Sequence, residues 1–155
     1  MKTADIENFE VLDIEDRGMI DGYNIFSQID ISGYDYIFIP NMIDQHKDHK
    51  AVSVLLYNLL KSAKRKSNLT IMFYEVWSPL TFATKCIDIS DFIETKKQML
   101  ECYNSQTSQR SYYEAAIALS KYRGLAKEMN YAESFWAMNV TEFSETIETL
   151  YKELI

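Results

Sequence analysis

Ile37-Phe38-Ile39-Pro40-Asn41-Met42-Ile43-Asp44-Gln45-His46-Lys47-Asp48-His49-Lys50-Ala51-Val52 is the stretch on which the reading of the fold turns. An apolar-rich run from Asp35 to Ile39 stops at Pro40, a polar loop follows, and an amphipathic helix opens close to His49. That order is strand, loop, helix start, and in an open α/β sheet ligands bind at the carboxyl ends of strands. The chain has two histidines, and both lie here, three residues apart with Asp48 between them.

His-x-Asp-His at a helix start offers two imidazoles and a carboxylate within one turn. Neutral imidazole is the commonest zinc ligand, and a neighbouring carboxylate usually fixes the ring tautomer. His49, nearest the helix, feels the positive end of the helix dipole, which disfavours the imidazolium and keeps a ring nitrogen free for metal. His46, out on the loop, can reach over a substrate as general acid or oxyanion donor, with Asp48 orienting it. The plain alternative is that Asp48 is an N-cap and that two surface histidines precede a helix without further purpose.

Outward from this run, Tyr36 to Ile39 is the strand and Tyr23 to Ile31 a short helix stopped by Ser32-Gly33. Phe9 to Ile14 alternates apolar and polar side chains and reads as a strand, and Asp16 to Gly22 as a loop. Downstream, a helix over about Lys50 to Lys66 places Val52, Leu55, Leu56, Leu59 and Ala63 on one stripe. Its basic last turn complements the helix dipole. Leu69 to Trp77 is apolar, β-branched and aromatic, hence a buried strand, and Lys85 to Ile89 is a shorter one. Asp91 with Glu94 suggests a capping box for a helix through Tyr103, with Phe92, Met99 and Tyr103 inward. Asn104 to Gln109 reads as a loop. A helix from Ser111 ends near Gly124, and a last helix, capped by Thr141, presents Phe143, Ile147, Leu150 and Leu154. Strands interleaved with helices indicate an α/β domain with a mainly parallel sheet.

The 155 residues suit one domain. A net charge of −7 argues against nucleic acid, which needs a basic surface. The spacing of Cys86 and Cys102 indicates neither a disulfide scaffold nor a zinc ribbon. The start lacks a signal-peptide core, and the longest apolar run, Val52 to Leu60, is too short to span a bilayer, so no membrane partner and a cytoplasmic location are expected. There is no glycine-rich phosphate loop, which argues against a nucleotide-binding module, and no serine or cysteine nucleophile motif. Tyr74, Glu75 and Trp77, at the end of the long strand, fit either core or pocket wall.

Pro40-Asn41 followed by Asp44-x-His46-x-Asp48-His49-x-Ala51-Val52 resembles the second motif of the LmbE-like (PIG-L) zinc-dependent N-deacetylases. Further pieces follow in that family's order: Tyr74-Glu75-Val76-Trp77-Ser78-Pro79-Leu80, Ile87-Asp88-Ile89-Ser90, Lys96-Lys97, Tyr103-Asn104-Ser105-Gln106, Tyr122-Arg123-Gly124 and Tyr131-Ala132-Glu133-Ser134-Phe135. The similarity runs from about Val11 to Phe135. It implies a three-layer αβα Rossmann-like fold with a mainly parallel sheet. It also implies zinc as cofactor, with an N-acetylated amino sugar or sugar conjugate as substrate. His49 maps to a metal ligand, His46 to the residue that assists the tetrahedral intermediate, and Asp48 to its partner. Asn41, Asp44, Arg123 and Glu133 fall at polar positions expected to bind substrate.

Family members also carry an early Ala-His-Pro-Asp-Asp-Glu run that supplies two zinc ligands and the general base. This chain has none; its nearest acidic clusters, Asp5-Ile6-Glu7 and Asp13-Ile14-Glu15-Asp16, lack histidine and proline. Residues 1–155 therefore read as a single partial deacetylase domain, incomplete at the amino-terminal side. Such a domain is expected to be inactive alone and to pair with a complementing amino-terminal half or with another copy. The alternative from another class is a non-catalytic interaction or scaffold domain built on the same fold.

Overall fold

The computed structural model describes residues 6–103 and 112–152. The expected loop Asn104 to Gln109, the run from Asn104 to Gln106, the start of the helix at Ser111, and Leu154 lie outside the described residues.

Among the described residues, four strands form one sheet: β1 (Tyr36–Pro40), β2 (Thr70–Tyr74), β3 (Lys85–Asp88) and β4 (Ala132–Asn139), in the order β1-β2-β4-β3. Among the described residues, five α-helices accompany them: α1 (Tyr23–Phe26), α2 (Lys47–Ser62), α3 (Ile93–Glu101), α4 (Tyr112–Leu125) and α5 (Val140–Leu150). β1 and β2 are parallel, with Ile37 opposite Ile71 and Ile39 opposite Phe73. A parallel pair needs a crossover, and α2 is that crossover. β2 and β4 are antiparallel, Ile71 opposite Met138. The bonds Thr84 N–H to Phe135 O and Ile89 N–H to Tyr131 O also run in the antiparallel sense.

The sheet is thus mixed and mostly antiparallel, which corrects the expectation of a three-layer αβα Rossmann-like fold with a mainly parallel sheet. The reason is β4. It lies between β2 and β3 and returns against β2, so the α/β alternation yields one parallel pair rather than a parallel sheet.

The chain divides into two compact units, Leu12–Lys85 with Phe135–Ile155, and Met1–Val11 with Cys86–Ser134. In the first, α2 is buried on most of its circumference, through Val54, Leu55, Leu56, Tyr57, Leu59 and Leu60. It packs with Ile39, Ile71, Phe73 and Met138 from the strands and with Phe143 and Ile147 from α5 in one core. Burying each such side chain is worth about 1.5–3 kcal/mol. β1 alternates accordingly: Ile39 faces this core, while Tyr36 and Phe38 on the other face are half exposed. β1 is an end strand, so one edge of its backbone lies beside no other described strand. β4 runs into α5 with no intervening loop. Asn139, its last residue, is also the helix cap: its side chain accepts the Glu142 N–H, and Glu142 bonds back to the Asn139 N–H. The cap is therefore Asn139, not Thr141, and the Asn-x-x-Glu spacing is the signature.

Other local expectations are also corrected. Phe9 to Ile14 forms no strand, and Met19–Gly22 is a turn of 3₁₀-helix. α2 starts one turn earlier than its apolar stripe indicates. In the second unit, Asp91 caps nothing and Glu94 instead pairs with Lys97 at 2.6 Å. There Phe92, Met99 and Tyr103 are exposed, and Ile93 is the buried residue of α3. Gly124 is no left-handed cap. It sits inside α4, where any Cβ would meet the Met129 carbonyl oxygen at 2.6 Å.

Candidate functional site

The loop between β1 and α2 is fixed from within by two polar side chains that are fully buried, Asn41 and Asp44. Asn41 accepts the Ile43 N–H at 3.2 Å and its amide approaches the Ser78 carbonyl at 3.5 Å. Asp44 accepts three backbone N–H groups, from His46 at 2.8 Å, Trp77 at 3.0 Å and Ser78 at 3.1 Å. A buried carboxylate is tolerated only when so satisfied. This one ties the histidine loop to the segment after β2. Both residues, expected at substrate-binding positions, lie beneath the surface. Tyr151 clamps the same loop from the carboxyl-terminal side, its hydroxyl donating to the Met42 carbonyl.

His46 is the N-cap of α2, a place where a serine or aspartate is more usual. Its Nδ1 accepts the Asp48 N–H at 3.3 Å. The N-cap role expected of Asp48 thus belongs to His46. Asp48 turns its carboxylate to another partner, accepting the Arg17 N–H at 2.7 Å and the Met19 N–H at 3.3 Å. Arg17 holds a left-handed backbone, φ 65°, and the Asp48 contact is what anchors it. One turn on, the ring of His49 lies 4.9 Å from that of His46, centroid to centroid. His49 Nδ1 is buried, 3.3 Å from Asp44 Oδ1. That is ion-pair distance, but the alignment falls short of a hydrogen bond, and Nδ1 has no other partner among the described residues.

Asp16, His46 and Asp48 each offer one ligand atom, and these atoms lie within 4.8 Å of one another. Asp16 is exposed and the other two half-buried. The three could hold a divalent cation; a mixed imidazole and carboxylate set suits several metals and selects none in particular. Sequence reasoning passes over Asp16, thirty positions upstream, and its acidic cluster is the one signal that points there.

His49 and Asp48 also wall a largely apolar groove of about 560 Å³, with Phe26, Ile31, Phe38 and Tyr74 among its other walls. Tyr74 is therefore a pocket residue. Glu75 accepts the Leu80 N–H at 2.6 Å and braces the turn after β2, where Trp77 meets Asp44. Arg123 and Glu133 belong to the other unit. There Glu133 pairs with Lys96 at 2.6 Å, with Ser120 Oγ 3.0 Å from the same amine. The guanidinium of Arg123 lies against the Tyr122 ring.

The fold and site together define a mixed α/β protein with two imidazoles and a supporting carboxylate at the mouth of a helix beside an apolar groove. The chain is similar to a solved structure, the conserved protein TT1542 from Thermus thermophilus, at 26% identity and a TM-score of 0.56. The match covers 66% of this chain and 50% of that one, so the chain spans about half the length of that protein. No protein-family model and no curated protein matches it. Among the described residues, no helix is long and apolar enough to cross a membrane.

Proposed function

We propose that this chain forms part of a metal-dependent amide hydrolase of the LmbE-like (PIG-L) kind, which removes the acetyl group from an N-acetylated amino sugar or sugar conjugate. The observation that carries the reading is the pairing of His49 with the buried Asp44 beside the groove, the carboxylate–histidine arrangement that supports metal-binding imidazoles. Zinc, when bound, supplies Lewis acidity and a nucleophilic hydroxide. His49 holds the metal on this reading. His46, whose Nδ1 is engaged with the Asp48 N–H, offers an Nε2–H to the oxygen that gains charge in the tetrahedral intermediate. Asp48 holds the 16–19 turn against the site through its two N–H contacts. The groove beside them offers a mostly apolar wall to the acyl group.

A catalytic zinc takes three protein ligands, and His49 is one. The remaining ligands and the general base come, on this proposal, from a complementing segment, so residues 1–155 alone release no acetate. A second reading rests on the cluster of Asp16, His46 and Asp48, which would hold a divalent cation without His49. A third is the non-catalytic interaction domain.

Calorimetric titration with zinc and manganese of the chain supplied with a complementing amino-terminal half that carries the His-Pro-Asp-Asp run, alongside its His49→Ala and Asp16→Ala forms, separates these readings. Loss of zinc binding in His49→Ala alone supports the hydrolase reading; loss in Asp16→Ala alone moves the metal to the second cluster. No metal binding by any form, with His49→Ala indistinguishable from the parent, leaves the interaction domain. Chelator-sensitive acetate release from N-acetylglucosamine conjugates by residues 1–155 alone would overturn the requirement for a complementing segment.

A further inference from the structure

Each of the two imidazoles at the mouth of α2 has one nitrogen committed, and the commitments are opposite in kind. His46 Nδ1 faces a donor, the Asp48 N–H at 3.3 Å, so its lone pair is there and the neutral ring carries its proton on Nε2. His49 Nδ1 faces an acceptor, Asp44 Oδ1 at 3.3 Å. The contact is poorly aligned, but its sign is clear: a lone pair set against a buried carboxylate oxygen repels it, whereas an N–H attracts it. Asp44 cannot turn away, because its two oxygens are held by three backbone N–H groups.

We infer that Asp44 is a positioning residue rather than a substrate contact. It fixes His49 as the Nδ1–H tautomer, opposite to that of its neighbour His46. Two rings 4.9 Å apart then present different chemistry through the same atom type. Nε2 of His49 offers a lone pair, and Nε2 of His46 offers a proton. An electrophile such as a metal ion is received by the first, and an oxygen that gains negative charge by the second. This division of labour rests on the proposed metal-dependent hydrolysis, but the tautomers belong to the metal-free chain and can be read without metal or substrate.

Asp44→Asn sharpens the inference. Where Oδ2 now accepts two N–H groups, from Trp77 and Ser78, the amide must keep its oxygen. Its NH₂ then replaces Oδ1, gives up the His46 N–H bond and points at His49 Nδ1, which must become an acceptor. The substitution therefore switches His49 to the Nε2–H form and removes the lone pair that would take a metal.

The test is long-range ¹H–¹⁵N correlation spectroscopy on histidine-labelled, metal-free protein, with the pH raised until the ring nitrogen shifts stop changing; His46→Gln assigns the two rings. The expected result is a pyridine-type Nε2 for His49 and a pyridine-type Nδ1 for His46. In Asp44→Asn, His49 moves to a pyridine-type Nδ1, and the zinc affinity of the chain supplied with the complementing amino-terminal half falls by about 10–100-fold. The same tautomer on both rings of the parent protein overturns the inference. So does an unchanged His49 in an Asp44→Asn protein whose backbone amide spectrum shows it folded. If that variant does not fold, the parent spectrum decides alone. Opposite tautomers with no zinc binding by the parent, even when it is supplied with the complementing amino-terminal half, would uphold the positioning role and sink the hydrolase reading instead.

Discussion

Replacing Asp44 with alanine isolates what the histidine loop costs to build. The carboxylate is fully buried and is the acceptor for the His46, Trp77 and Ser78 N–H groups at 2.8, 3.0 and 3.1 Å. Hydrogen bonds to a charged group contribute about 1.5–3 kcal/mol each, and a buried donor left without a partner costs about 1–3 kcal/mol. Allowing for relaxation and for relief from burying a charge, Asp44→Ala is expected to destabilise by about 3–5 kcal/mol. A domain of this size has a total stability of about 5–15 kcal/mol, so the variant should sit close to unfolding. Asp48→Ala is the internal comparison. It also removes an acceptor of two backbone N–H groups, but at a half-buried position where water can replace the carboxylate, so about 1 kcal/mol is expected. Urea denaturation of the three proteins, with slopes compared as well as midpoints, reads the difference. An Asp44→Ala variant no less stable than Asp48→Ala would refute the view that Asp44 is the anchor of the loop.

Three further outcomes follow from other parts of the chain. Tyr151→Phe removes the hydroxyl that donates to the buried Met42 carbonyl and is expected to cost about 1 kcal/mol by urea denaturation. Burial raises the Tyr151 phenol above its ordinary value of 10.0. Its contribution is therefore fully present below that pH and is lost as pH rises through the folded value, a loss that Tyr151→Phe should not show. The Ser90 hydroxyl first, and its N–H second, hold the Asp88 carboxyl below the usual carboxylate range. Ser90→Ala should raise the Asp88 pKa in an NMR titration; an unmoved pKa would assign the effect to the backbone N–H. Phe38 is half exposed on end strand β1, and Phe38→Lys should lower self-association measured by light scattering, since edge lysines block strand addition.

The histidine run and its setting are legible because their signals are local. Pro40 marks the end of β1, and His46, Asp48 and His49 fall within one turn. The apolar stripe of α2 begins only at Ala51 and Val52 while its cap is an imidazole, so the sequence points to a start one turn late. β4 is not legible as a strand: Ala132-Glu133-Ser134 has weak β-propensity, and Phe135, Trp136 and Met138 put apolar groups on both faces, which erases the period of two. Without that strand the sheet reads as parallel. Asp44 and Asp16 escape for opposite reasons. A buried carboxylate and a substrate-facing one look alike in sequence, and nothing local ties Asp16 to a helix thirty positions on. The inward assignment of Phe92, Met99 and Tyr103 fails because helical spacing identifies a face without saying what covers it.

The junction of β4 and α5 leaves no slack. Asn139 is at once the final rung of a ladder, opposite Thr70, and the first hinge-pin of a helix. One added residue after it would turn α5 by about 100° and swing Phe143 and Ile147, both wholly enclosed, out toward water. Length variation is therefore forbidden at this joint, and the register of the strand and the rotation of the helix are set by a single side chain.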